Sequence, residues 1–173
     1  MSKGNGGTGV NGKKAANGKS GHNFITETTV RVRYAETDKM GVVYHSNYII
    51  WFEVGRVEML RAFGFTYKEM ESQDDTHLPV VEVRCRYKQP ALYDDEILVR
   101  THLKNVRDSL IHFGYECFRK SDGTLLAEGE TVHLVVDSGG NRKPFPEKYR
   151  AAFKAAISNL NCRIQIAEQR SNG

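Results

Sequence analysis

Cysteine, proline and tryptophan are scarce in this chain, at three, four and one of 173 residues. The cysteines, Cys85, Cys117 and Cys162, are odd in number and show neither zinc-ligand spacing nor a disulfide framework. Cys85 and Cys117 fall inside apolar strand patterns, where a free thiol behaves as a small hydrophobe. A reducing, cytoplasmic setting is therefore expected. No uninterrupted apolar stretch approaches the ~20 residues of a membrane span, and the first residues lack the hydrophobic core of a signal peptide. The six histidines show no metal-ligand spacing either, so no metal is expected. A glycine-rich nucleotide-binding motif and internal repeats are also lacking. An excess of one charge is missing from the body of the chain. The net charge is +4, but residues 1–23 carry Lys3, Lys13, Lys14 and Lys19 and no acid, which leaves 21 of the 25 basic residues against all 21 acidic ones. A nucleic-acid-binding body would show a basic surplus, so nucleic acid is not expected as a partner.

What remains is an ordinary globular composition, 39% hydrophobic and 27% charged, at a length that suits one domain. Residues 1–23, rich in Gly, Asn, Lys and Ser, cannot repay the entropy of ordering and are expected to form a disordered tail. The domain is expected over 24–160, with a frayed tail over 161–173. Thr28–Tyr34 alternates with period two and predicts a strand. Tyr48–Phe63 predicts a long helix with Ser46 or Asn47 as N-cap and Gly64 as its stop. Its opening, Tyr48 to Phe52, is apolar all round and should be buried on most sides, while Arg56, Glu58 and Arg61 should reach water. A short helical turn over Tyr67–Gln73 follows. Four long strands in meander come next: Leu78–Tyr87, Glu96–Val106, Leu110–Lys120 and Thr124–Val136. In the first of them Val81, Val83, Cys85 and Tyr87 share one face. Ser121-Asp122-Gly123 is a turn signal, and Pro146 opens a terminal helix over Glu147–Leu160. One apolar helix is the natural cover for one antiparallel sheet. The expected class is α+β: a hotdog fold, a curved antiparallel five-stranded sheet wrapped around one long central helix. Open sheet edges favour pairing between subunits, so a homodimer or homotetramer is expected.

The chemistry concentrates between strand and helix. Asp38 lies in the connecting loop, and an isolated loop aspartate more often turns the chain than reacts. Its neighbours change that reading. Gly41 allows a positive φ and a close ligand approach. The helix beyond offers unpaired N–H groups and the positive end of a dipole. A thioester or ester oxygen held there would be stabilised by ~3 kcal/mol per well-placed donor, while Asp38 attacks the carbonyl carbon or draws a proton from water. His45 stands at the helix mouth, where its amide is a candidate oxyanion donor and its imidazole could orient water or the carbonyl. Tyr44 and Tyr48 read as core or pocket wall, and Asn47 as a cap or a ligand contact. Glu36 reads as solvent-facing. Trp51, Phe52, Phe63, Phe65 and Tyr67 are the candidates for shaping an acyl cavity.

The pattern Tyr34-x-x-Thr37-Asp38-x-x-Gly41-Val42-Val43-Tyr44-His45-x-Asn47-Tyr48, followed by Glu53-x-x-Arg56, resembles the 4-hydroxybenzoyl-coenzyme A thioesterase family of hotdog enzymes. It is most similar to the branch of small bacterial acyl-CoA thioesterases associated with the Tol-Pal envelope system. The likeness spans about Thr28 to Tyr149. It implies that Asp38 is catalytic, that the amides around Tyr44 to Ser46 polarise the thioester carbonyl, and that His45 assists. It also implies a substrate-binding set of Gly41, Val42, Tyr44, Ser46 and Asn47. Relatives that prefer the hydroxybenzoyl substrate differ at the His45 position. Coenzyme A is part of the substrate, so no separate cofactor is implied. Its phosphates should meet Lys104 and Arg107 at a hairpin tip, with Arg142 and Lys143 next and the Arg84, Arg86 and Lys88 row third. The loop departs from the hydroxybenzoyl enzymes in carrying Asp108 beside Arg107. The expected activity is hydrolysis of acyl-CoA. Acyl-carrier-protein thioesters are the rival carrier, and a non-catalytic acyl-CoA-binding module is the rival class.

Overall fold

The computed structural model describes residues 25–155. The expected tails at 1–23 and 161–173, the end of the terminal helix up to Leu160, and Cys162 lie outside the described residues. Strand β1 (Ile25–Arg31) ends before Tyr34, because Tyr34–Glu36 wind into a 3-10 turn. The Glu36 carboxylate closes that turn by accepting the Arg33 N–H at 2.7 Å and its guanidinium at 3.0 Å.

Helix α1 (Asn47–Ala62) stops at Gly64 as its sequence predicts. Gly64 N–H donates to Arg61 O at 2.9 Å and Phe65 N–H to Leu60 O at 3.0 Å, a Schellman closure. Helix α2 (Tyr67–Asp74) begins with a capping box in which Thr66 Oγ1 accepts the Glu69 N–H and the Glu69 carboxylate accepts the Thr66 N–H. Residues 147–155 are helical, and Tyr149 and Phe153 join Phe63, Phe65 and Phe145 in an aromatic cluster.

Strands β2 (Val80–Tyr87), β3 (Glu96–Arg107), β4 (Leu110–Arg119) and β5 (Leu125–Leu134) complete one antiparallel sheet in the order β1-β3-β4-β5-β2. The hotdog expectation holds, with one correction of topology. β3, β4 and β5 form a meander, but β2 crosses to pair with β5 because β1 already occupies the free edge of β3.

α1 lies on the inner sheet face, mainly across β1 and β3. Trp51, Phe52, Met59 and Leu60 meet Ile97, Val99, Ile111 and Phe113 in a continuous core, and Phe52 stacks on Tyr115 at 4.5 Å between centroids. Each such side chain contributes about 1.5–3 kcal/mol on burial. The approach is close at Gly55, where a Cβ would stand 2.3 Å from Thr101 Oγ1.

Two expectations, at the helix start and at Arg56, fail here for packing reasons, and one strand is left largely uncovered. Ile49 and Ile50 are 38% and 48% exposed, since the face of that turn carrying Tyr48, Trp51 and Phe52 packs into the core and the two isoleucines lie on the opposite side. β2 is exposed on both faces except at half-buried Cys85, because α1 barely reaches it. Arg56, expected in water, is only 8% exposed. It is turned inward to donate to His133 Nε2 at 2.8 Å.

Candidate active site

Asp38 heads a tight turn in which Gly41 N–H donates to Asp38 O at 2.9 Å and Asp38 N–H to Val42 O at 2.8 Å. Oδ1 accepts the Met40 N–H at 2.8 Å, the side-chain turn typical of aspartate. Oδ2 has no hydrogen-bond partner among the described residues. Gly41 has φ +79°, a region that costs other residues about 1–2 kcal/mol. Bridges from Thr37 to Val43 and from Val42 to Leu92 hold the turn against the sheet's end. The aspartate thus turns the chain and still offers one carboxylate oxygen.

The return leg delivers the chain to α1. Glu36 O accepts both the Tyr44 N–H and Asn47 Nδ2, each at 2.8 Å. The Tyr44 amide, expected as a donor to substrate, is therefore occupied. Asn47 ties the helix start to the 3-10 turn instead of capping it. Ser46 stands at the N-cap with helical φ and ψ and makes no side-chain cap bond. As a result the amides of His45, Ser46 and Tyr48 have no partner among the described residues, and they carry the positive end of the helix dipole. The His45 ring is exposed beside Tyr44, 4.3 Å between centroids, and its carbonyl accepts the Tyr87 hydroxyl at 3.0 Å. Although the residue is partly exposed, desolvation of its hydroxyl, followed by the neighbouring Cys85, pushes the Tyr87 phenol up to about 12, so it remains a donor. Tyr48 belongs to the core rather than to a pocket wall: it is buried, and its hydroxyl accepts the Ala91 N–H at 3.1 Å.

Among the described residues, neither Asp38 nor His45 lines the groove of about 900 Å³ beside the second half of α1 or the smaller hollows on the outer sheet face. In a single copy their junction is an open surface beside exposed Met40, Tyr44, Ile49 and Ile50. The expected phosphate contacts are not gathered at one place. Lys104 pairs with Glu130 on the outer sheet face. Arg142 bonds Ser109 in the β3–β4 turn, close in sequence to exposed Arg107. Trp51 and Phe52 are consumed by the core, and Phe63 and Phe65 by the aromatic cluster, so of the five expected cavity-shaping residues only Tyr67 lines the groove beside α1. Among the described residues no group of three or more His, Cys, Asp and Glu side chains could hold a metal ion, and no helix is long and apolar enough to cross a membrane.

The family model described as the thioesterase-like superfamily matches residues 32–153, which hold the junction, α1 and four of the five strands. The chain belongs to the thioesterase-like superfamily. YneP of Bacillus subtilis, provisionally named an acyl-CoA thioesterase, is 35% identical over 136 residues, 76% of this chain and 97% of that protein. The acyl-CoA thioesterase YbgC of Haemophilus influenzae is 34% identical over 72% of this chain and 90% of its own length. Among solved structures, the DHNA-CoA thioesterase of Staphylococcus aureus superposes with a TM-score of 0.70 at 30% identity, covering 83% of this chain and 95% of that one.

Two features of this thioesterase-like chain escaped sequence reasoning. Glu36 is 5% exposed and anchors the junction. Burial alone would raise its carboxyl, but the Arg33 amide and guanidinium, with Trp51, hold it below the ordinary range. Only the Glu36 half of a capping box is present, since the Glu36 N–H donates to the Arg33 backbone carbonyl at 3.0 Å, and without a Ser or Thr at position 33 the sequence carries no capping-box signal. The second is a buried polar chain under α1. Arg56 donates to His133 Nε2, which lies 2.8 Å from Thr131 Oγ1. Thr131 Oγ1 is in turn 2.8 Å from the Tyr115 hydroxyl. Burial first, and then the Arg56 charge, bring the His133 imidazole down to about 4. No local signal announces that pairing.

Proposed function

We propose that this protein hydrolyses acyl-CoA thioesters, R–CO–S–CoA and water giving a carboxylic acid and free coenzyme A. The observation that carries the reading is the junction itself: a carboxylate fixed by a turn beside a helix N-terminus, where one carboxylate oxygen and the His45, Ser46 and Tyr48 amides have no partner among the described residues. Negative charge developing on the thioester oxygen would be met by those amides and the dipole, the electrostatic assistance that dominates acyl transfer. Asp38 serves as nucleophile, forming a mixed anhydride that water opens, or as general base towards water. His45 orients the water or the carbonyl, and Gly41, Val42 and Tyr44 form the approach.

The site is open in one copy, and we place its closing wall on a second. The free edge of β2, with exposed Val80, Val81, Val83 and Tyr87, and the uncovered Ile49 and Ile50 support a homodimer, with a homotetramer as its pairwise extension. Arg107 and Arg142 are the better phosphate candidates for coenzyme A, since Lys104 is already paired. His45 favours the small acyl-CoA thioesterase branch, the Tol-Pal-associated one, over the hydroxybenzoyl enzymes. The free thiols Cys85 and Cys117 fit a reducing cytoplasm.

The test is free-thiol release across short, long, branched and aromatic acyl-CoAs, each compared with the same acyl group on acyl carrier protein. Saturable turnover with at least one acyl-CoA is expected. Faster turnover on the carrier protein would reassign the substrate. Saturable binding without turnover on any thioester would refute the enzyme and leave a binding module.

A further inference from the structure

The carbonyl of His45 stands just ahead of α1, and the helix does not use it. The Ile49 and Ile50 N–H groups both go to Ser46 O, at 3.1 and 3.4 Å. Among the described residues no backbone N–H donates to His45 O. Its donor is the Tyr87 hydroxyl, at 3.0 Å and 42 residues further along the chain. Tyr87 is the last residue of β2, and its main chain is fixed by pairing with Ala127 on β5. Its ring packs edge-on to Tyr48, 5.2 Å between centroids at 74°, and meets the His45 ring at 6.3 Å and 81°. Tyr48 is in turn pinned to the Ala91 N–H. A donor carried by a paired strand and steadied by packed rings has a well-defined aim.

A peptide group is planar and trans, so its C=O and N–H point in opposite directions. The group whose oxygen Tyr87 holds is the one whose nitrogen belongs to Ser46, and that N–H has no partner among the described residues. Fixing the carbonyl therefore fixes the amide, pointing away from Tyr87. A bond at the carbonyl also polarises the group and strengthens its N–H as a donor. The neighbouring His45 N–H is set differently, because Tyr44 O, on the same peptide, accepts the Asn47 N–H at 3.0 Å. We propose that Tyr87 is a positioning residue of the hydrolytic site: by holding the His45 carbonyl, its hydroxyl aims the Ser46 N–H at the thioester oxygen as negative charge develops there. The proposal rests on the hydrolytic reading of the Asp38 junction and adds to it a residue of the edge strand β2. The phenol keeps its proton at any ordinary assay pH, since its pKa stands at about 12.

Tyr87→Phe keeps the ring and removes only the hydroxyl. On the best acyl-CoA of the panel, kcat should fall roughly tenfold, part of the ~10²–10³-fold that loss of a whole oxyanion donor costs. KM should stay within about twofold, because the uncharged carbonyl of the ground state leans little on that amide. Tyr93→Phe, which removes the hydroxyl of another exposed tyrosine, should hydrolyse at the wild-type rate. Without substrate, carbon and nitrogen NMR of Tyr87→Phe should show the His45 carbonyl and the Ser46 amide shifted and the Tyr44 carbonyl unmoved. The urea midpoint and the sedimentation behaviour should match wild type. Four results would overturn the assignment: kcat within about twofold of wild type; a raised KM at unchanged kcat, which marks a ground-state contact; unmoved His45 and Ser46 resonances; or an altered assembly state. If wild type turns over and depends on Asp38 while Tyr87→Phe is unaffected, this proposal alone fails. If wild type hydrolyses no thioester, the hydrolytic reading fails and takes the proposal with it.

Discussion

His133 makes the stability of this protein depend on pH in a way that one substitution can isolate. The imidazole is fully buried on β5. Its Nδ1 lies 3.0 Å from Leu78 O, and its Nε2 faces the Arg56 guanidinium and the Thr131 hydroxyl. The carbonyl can only accept and the guanidinium can only donate. The ring must therefore be the neutral Nδ1–H tautomer, and a second proton on Nε2 would meet a cation in a dry site. Burial and Arg56 lower its pKa from 6.5 to about 4. At 1.36 kcal/mol per pH unit that fall is worth at most about 3 kcal/mol. The folded value lies below the unfolded one, so between them the unfolded chain binds more protons. The contribution is full above pH 6.5 and is lost as pH falls towards 4. Other carboxylates titrate in the lower part of this window, so the informative quantity is a difference. Urea unfolding at fixed protein concentration, from pH 7.5 down to 4.5, should show the wild type losing about 2–3 kcal/mol more than His133→Asn, which has no proton to gain. Parallel curves for the two proteins would refute the neutral, desolvated histidine and with it the buried Arg56 pairing.

Two further substitutions probe how the helix is seated. Gly55→Ala would bring a methyl to 2.3 Å from Thr101 Oγ1; a loss of about 1–3 kcal/mol is expected in the same urea assay, and an unchanged midpoint would mean that α1 does not approach β3 so closely. Glu36→Gln keeps the size but puts an amide N–H against the Arg33 donors. A loss of about 1–3 kcal/mol at neutral pH is expected, shrinking in acid because a carboxyl held below its ordinary value loses its advantage once protonated.

Local signals carried far in this chain. Period-two alternation located the strands, Ser121-Asp122-Gly123 marked the β4–β5 turn, and Gly64 marked the end of α1 at a position where its φ is +85°. The junction motif was legible because turn, glycine and helix start are contiguous in sequence. What could not be read was non-local. β2 beside β5 is decided by which sheet edge remains free, and the inward turn of Arg56 depends on His133, 77 residues away. The missing side-chain cap is a different case. Ser46 and Asn47 are good capping residues, yet the Glu36 carbonyl claims the Asn47 side chain and leaves the helix amides open. The five aromatics assigned to an acyl cavity were mostly claimed by the core, which composition alone does not apportion. The phosphate-contact residues sit on separate surfaces, because spacing along a strand does not say which face a cation takes.

The central claim rests on the Asp38 carboxylate, and Asp38→Asn addresses it with little structural disturbance. An asparagine Oδ1 can still accept the Met40 N–H that fixes the turn, so the urea midpoint should hardly move. The decisive measurement is the rate of free-thiol release by this variant on the best acyl-CoA of the panel. A fall of at least about a hundredfold in kcat is predicted. Turnover within a few-fold of wild type would contradict the assignment of the chemistry to this junction.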